Sequence, residues 1–163
     1  FDRRNRAGFR AAGERAITLN PNDPDLLAHY GMRLTFIGEW ERGVALVTKA
    51  IALNPEHPQW YLDPIIYYYY QTRDYERALT ESQRQRLSDD VWGALFRAMI
   101  LGQLGRRGEA QPLIEAALKL EPNVRERLWG MARIWNVPDP QIEHFADGLR
   151  KAGLAIAPAP RPS

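Results

Sequence analysis

The sequence predicts an all-α fold: a right-handed superhelical solenoid of about three and a half helix-turn-helix repeats, closed by a C-terminal pair of capping helices. Three observations predict it. The segment Ala16-Ile-Thr-Leu-Asn20-Pro21 returns almost residue for residue as Ala50-Ile-Ala-Leu-Asn54-Pro55, 34 residues on, and self-similarity at such a period marks stacked supersecondary units. A second register runs through Gly38-Glu-Trp40-Glu-Arg-Gly43, Arg73-Asp-Tyr75-Glu-Arg-Ala78 and Gly105-Arg-Arg-Gly-Glu-Ala110, each a turn followed five positions later by a small residue. The 163 residues are 45% hydrophobic and 26% charged, a balance that lets a chain bury a core and excludes wholesale disorder.

Each element follows in order. Residues 1–22 read as the second helix of a truncated repeat, with Ile17 and Leu19 facing the core. Residues 23–122 hold three complete repeats. Asp23-Pro24 and His57-Pro58 suit helix starts, where proline is tolerated in the first turn. The Asn-Pro and Glu-Pro steps at 20–21, 54–55 and 121–122 end helices, because proline lacks the N–H donor and clashes with the preceding turn. Gly38 and Gly105 are expected in the left-handed conformation that closes a helix, and Gly43, Ala78 and Ala110 let paired helices approach closely.

The middle unit departs from the pattern. Arg73 stands where a glycine is expected, Gln85 replaces a crossing alanine, and the helix before the turn is one residue longer. Leu87-Ser88-Asp89 occupies the third boundary, with Ser88 read as a helix cap. After Pro122 the period stops, and residues 123–154 are expected to form the capping helices. The first runs from Asn123 to about Trp135 and the second from Asp139 to Lys151, stopped at Gly153. Ile142, Phe145, Ala146 and Leu149 fall on one face of that last helix. Residues 155–163, rich in proline, are expected to be a disordered tail.

The period near 34, the small residues at the helix crossing and the proline at the unit boundary resemble the tetratricopeptide repeat, over roughly residues 7–122. The combination of Gly38-Glu-Trp-Glu-Arg-Gly43, His57-Pro-Gln-Trp-Tyr61, Asp74-Tyr-Glu-Arg-Ala-Leu79 and the closing Glu143-to-Leu154 segment is similar to the C-terminal repeat region of bacterial signalling proteins. In those proteins the repeats follow an adenylate or guanylate cyclase domain or a winged-helix DNA-binding domain. The resemblance implies an accessory, cytoplasmic module. The first residue is Phe rather than Met, and the chain is expected to belong to a longer protein.

Catalytic chemistry has little to work with. No cysteine is present, which excludes disulfides, zinc-thiolate sites and a cysteine nucleophile. His29, His57 and His144 fall in different units, without the ligand spacing of a metal helix, so no metal is expected. No Gly-x-Ser-x-Gly elbow occurs. Gly102-Gln-Leu-Gly105-Arg-Arg-Gly108 lacks the pattern of a phosphate loop, and its place at an internal turn explains Gly105. Asp23, Asp25, Asp63, Asp89 and Asp90 cluster near expected helix starts, where the macrodipole favours negative charge. The sequence therefore predicts no enzyme and no cofactor.

The charge balance is close to even: 22 basic and 20 acidic residues give +2, too little to make polyanion binding the default. Arg3, Arg4, Arg6, Arg10 and Arg15 form a basic first helix, but acidic residues are interspersed elsewhere, and neither nucleic acid nor membrane is an expected partner. No apolar run approaches the roughly 18 residues of a spanning helix.

What remains is a surface. In stacked helix pairs the first helix of each unit lines the concave side, at spacings of three and four residues. Asp25, Ala28, Met32 and Thr35 are the candidates from the first unit. Trp60, Asp63, Tyr67 and Tyr70 follow from the second, and Trp92, Leu95 and Met99 from the third. Tyr68 is assigned to the repeat core, since four consecutive helical positions cannot face one way. Ala28 and Met32 stand where chaperone-clamping tetratricopeptide domains carry polar residues, which disfavours a carboxylate clamp. The expected function is non-catalytic capture of a peptide or helix in this aromatic groove. Trp60, Tyr67, Tyr70, Trp92 and Met99 serve as anchors, and Asp25 and Asp63 select a basic ligand. The alternatives are self-association through the open N-terminal end and a small-molecule sensor using the aromatic pocket.

Overall fold

The computed structural model describes residues 3–86 and 90–157, apart from the side chains of residues 3–6 and 132. The boundary at Leu87-Ser88-Asp89, the capping role of Ser88, the side chains of Arg3, Arg4 and Arg6, and the tail at 158–163 lie outside the described residues. Within them the fold is all-α. Helices α1 (Arg3–Leu19), α2 (Pro24–Phe36), α3 (Trp40–Leu53), α4 (Asp63–Gln71) and α5 (Tyr75–Ser82) are followed by α6 (Val91–Gln103), α7 (Arg107–Leu120), α8 (Val124–Trp135) and α9 (Asp139–Ala152). A single 3₁₀ turn, Gln59–Leu62, leads into α4.

Local chemistry sets most of these boundaries. Pro24 sits in the first turn of α2 and the Asp23 carboxylate caps it, accepting from the Leu26 N–H at 3.0 Å. Asp74 and Asp90 cap α5 and α6 in the same way, through the N–H groups of Arg77 and Trp92. Each supplies an acceptor to a helix end that has no internal partner for its first donors. Gly38 and Gly105 close α2 and α6 at φ 96° and 72°, as expected. At the matching position in the middle unit Arg73 takes φ 65°: the hairpin geometry holds although the residue type disfavours it.

Consecutive helices pair as α2 with α3, α4 with α5 and α6 with α7, and α2, α4 and α6 lie side by side. The α2–α3 crossing carries a glycine on each helix, Gly31 and Gly43. A methyl group on Gly43 would lie 2.2 Å from Thr35 Oγ1 and 2.5 Å from the Gly31 carbonyl, so no larger residue fits. Ala78 and Ala110, at the equivalent places, are fully buried. A small core of Leu27, Ala28, Val47, Ala50, Tyr61 and Ile65 joins α2 and α3 to α4. The main core runs from Met32 and Phe36 through α4 and α6 to α9.

Helix α1 departs from expectation in one respect. Ile17 packs against the small core, but Leu19 is 68% exposed. Gly13 lies against the Tyr30 ring, and α2 touches α1 mainly there and at Phe9, whose ring is 5.4 Å from Tyr30. Arg42 of α3 and Glu39 before it pair with Glu14 and Arg10 of α1, and the end of the helix at Leu19 stays open.

The turn and the crossing give paired predictions. Arg73→Gly is expected to raise stability by about 0.5–1 kcal/mol by removing a left-handed non-glycine. Gly43→Val is expected to lower it by about 1–3 kcal/mol through overpacking. Urea denaturation midpoints read both; a destabilised Arg73→Gly would show that the arginine side chain holds the turn.

Candidate functional site

The shared face of α2, α4 and α6 is covered by the chain's own C-terminal helices. Helix α9 buries Ile142, Phe145, Ala146 and Leu149, the face read from sequence, against α6. Two glycines make the approach possible. A methyl group on Gly102 would lie 2.1 Å from the Gly148 carbonyl, and one on Gly148 would lie 2.3 Å from Tyr70 Oη and 2.8 Å from the Met99 carbonyl.

Polar contacts fix the register. Tyr70 Oη donates to the His144 carbonyl at 2.7 Å and Tyr67 Oη donates to Gln141 Oε1 at 3.1 Å. The Gln71 amide donates to the Gln141 carbonyl at 3.2 Å. Gln103 donates to Tyr70 Oη and to Asp147, whose carboxyl is held below the usual range mainly by its hydrogen bond from Lys151. His144 stacks on Tyr70 with ring centroids 4.5 Å apart. Its Nε2 lies 2.9 Å from Tyr75 Oη and its Nδ1 lies 3.2 Å from Gln71 Oε1. A neutral ring protonated at Nδ1 satisfies both, accepting from Tyr75 and donating to Gln71. Burial, and after it the nearby Arg73, push the imidazole below its ordinary pKa.

Where α8 and α9 fail to fill the face, a cavity of about 280 Å³ remains. Helix α2 contributes Met32 and Phe36; the 3₁₀ turn and α4 contribute Trp60, Asp63 and Tyr67; α6 and its cap contribute Asp90, Trp92 and Phe96. The opposite side is Leu128, Met131 and Trp135 of α8, then Val137, Ile142 and Phe145. The rings brace one another: Phe36 meets Tyr67 and Trp135 edge-on at 4.9 and 5.5 Å, and Phe96 meets Phe145 at 5.4 Å. Such edge-to-face pairs are favourable beyond the area they bury. Trp60, Trp92, Met131 and Trp135 are only half-buried and form the rim.

Asp63 is the unusual group in this apolar setting. Gln85, itself buried, donates to its Oδ1 at 2.6 Å, and burial raises the carboxyl pKa to about 7, with the Asp90 charge pushing the same way. Among the described residues no lysine or arginine forms an ion pair with Asp63 or Asp90. Also among them, no group of three metal-ligating side chains occurs and no helix is long and apolar enough to cross a membrane.

The structure thus brings together Met32, Trp60, Asp63, Tyr67 and Trp92 and sets the other candidates elsewhere. Ala28 belongs to the small core. Thr35 faces the Gly43 crossing and bonds back to the Gly31 carbonyl. Tyr70, Leu95 and Met99 are fully buried in the main core rather than open to a partner, because α9 occupies that part of the face. Asp25 lies on the exterior and accepts the Tyr61 hydroxyl. In the tyrosine run, Tyr67 and Tyr70 are buried, whereas Tyr68, assigned to the core, is half-buried. Spacing missed Phe36 and Phe96 because both also face neighbouring helices. The α8 and α9 residues were missed because docking of the cap onto the face has no local signature. Neither the models of known protein families nor the curated proteins give a match to this sequence.

Two titrations are expected. His144 is depressed, so between its folded pKa and the ordinary value the unfolded chain binds more protons, and stability falls as pH drops through the ordinary imidazole range. His144→Gln should remove that slope in thermal melts; an unchanged slope would place the neutral ring elsewhere. Asp63 is raised, so its contribution has the opposite sign: stability is lost as pH climbs from about 4 to about 7. Asp63→Asn is expected to stabilise the fold at pH 8 by on the order of 2 kcal/mol, with little effect at pH 4.

Proposed function

We propose that the chain is a non-catalytic ligand-binding module of tetratricopeptide-repeat type, in which stacked helix hairpins supply one wall of an aromatic cavity and the capping helices close it. The observation that carries this reading is the cavity itself, about 280 Å³ and walled by rings from five helices and the 3₁₀ turn. That size is near the lower end of small-molecule sites, which are typically apolar with a few polar groups placed among the rings. The repeat assignment is supported by the left-handed closures at Gly38, Arg73 and Gly105 and by the small residues at the crossings. The resemblance of the Gly38–Gly43, His57–Tyr61 and Asp74–Leu79 segments to the repeat region of bacterial signalling proteins supports reading the module as an accessory, cytoplasmic part of such a protein, with ligand occupancy as its input.

A peptide laid along the whole face is less well supported, because α9 covers Tyr70, Leu95 and Met99. A protein partner fits in a narrower form, placing one side chain between the half-buried rim residues Trp60, Trp92, Met131 and Trp135. Self-association is favoured by a different observation, the exposed Leu19 at the uncovered end of α1; light scattering would read it as a dimer.

The five tryptophans offer a direct test. Titration with benzene is expected to shift the indole N–H resonances of Trp60, Trp92 and Trp135 and to spare Trp40 and Trp129, which do not line the cavity. Met131→Trp, which fills the rim, should abolish the shifts without lowering the melting temperature. Uniform shifts, or none, would remove the cavity as a ligand seat.

A further inference from the structure

Resting on the cavity as the ligand seat, we infer that its ligand is an organic cation, an alkylammonium head held by the aromatic rings with Asp63 and Asp90 as its counter-charges. Three features on the cavity wall point the same way. The first is ring chemistry: Trp60, Trp92 and Trp135 line one space with Tyr67, Phe36 and Phe96. Indole and phenyl faces carry negative potential, and groups of them recognise ammonium heads that keep little hydration.

The second feature is charge. Both polar side chains that carry formal charge in the lining are carboxylates. Each has one oxygen engaged by a neutral donor, Asp63 Oδ1 by the Gln85 amide and Asp90 Oδ1 by the Trp92 N–H. Among the described residues neither pairs with a lysine or arginine. The Arg33 guanidinium stands 4.2 Å from the Trp135 ring centroid but is not a lining residue. Two neighbouring acids at an apolar wall repel each other and lose hydration, and a cation entering the space relieves both costs.

The third feature is selection against the alternatives. An anion would meet the two carboxylates. A neutral apolar ligand would fill the rings and leave Asp63 without a counter-charge, so it gains nothing from the site's most unusual group. An ammonium carried on an aliphatic or aromatic body uses every part of the lining.

The test compares charge at constant shape. Choline and benzyltrimethylammonium are titrated into the 163-residue chain by calorimetry, each beside the neutral isostere in which a tert-butyl group replaces trimethylammonium. The ammonium compounds are expected to bind about tenfold more tightly than their isosteres or better. Asp63→Asn, a variant expected to fold at least as well as the wild type, should remove most of that preference and leave isostere binding unchanged. Isosteres that bind as tightly as the ammonium compounds would overturn the inference and leave the cavity as a neutral ligand seat. No binding by either member of both pairs would overturn the seat as well. A trimethyllysine peptide separates sources of the same chemistry: tighter binding than free choline supports the inference with a protein as the source, and weaker binding supports it with a small molecule.

Discussion

The architecture depends on one close approach, the crossing of α6 and α9 at Gly102 and Gly148. Neither position has room for a Cβ, since the nearest backbone or hydroxyl atoms would lie between 2.1 and 2.3 Å away. A glycine inside a helix costs about 0.5–1 kcal/mol relative to alanine. Here two of them are spent to let a helix lie against the core, where it buries Ile142, Phe145 and Leu149. Tyr70 links the crossing to the hairpins: its ring is fully buried, its hydroxyl donates to the His144 carbonyl, and it accepts from Gln103.

From that crossing the rest follows. With α9 seated on α6, the face shared by α2, α4 and α6 is no open groove, and the remaining space is bounded on its far side by α8 and the start of α9. The hairpins place Asp63 at the first turn of α4, where a carboxylate suits the helix dipole. It lines the cavity that the cap bounds on the far side, and burial raises its pKa. An aspartate at a helix start is raised toward neutral pH because its hydration is lost at the wall of an apolar cavity. His144, on the covering helix, is kept neutral by the same packing.

Much of this was legible where physics is local. Gly38, Gly105 and Gly153 take positive φ where glycine after an apolar helix predicts it. Asp23 and Asp90 cap the helices their positions imply. Even Arg73 was legible as a glycine position filled by the wrong residue, and it carries the left-handed angle. Five of the fourteen lining residues followed from helical spacing alone: Met32, Trp60, Asp63, Tyr67 and Trp92. The six lining residues from Leu128 to Phe145 were hidden because the repeat pattern predicts a free inner wall, and nothing in a periodic sequence says that the cap folds back onto it. One signal was present: Gly148 lies in the middle of a helix with a strong apolar face, and a glycine there implies that a backbone comes close.

The docking of α9 is therefore the point on which the cavity, its titrating groups and its chemistry rest. Amide hydrogen exchange measures it directly. If the crossing holds as described, the α9 amides from Phe145 to Leu149 exchange as slowly as those of α6, opening only when the whole chain unfolds. Exchange of α9 orders of magnitude faster than α6 would mean a detachable helix, an open inner face and no enclosed cavity.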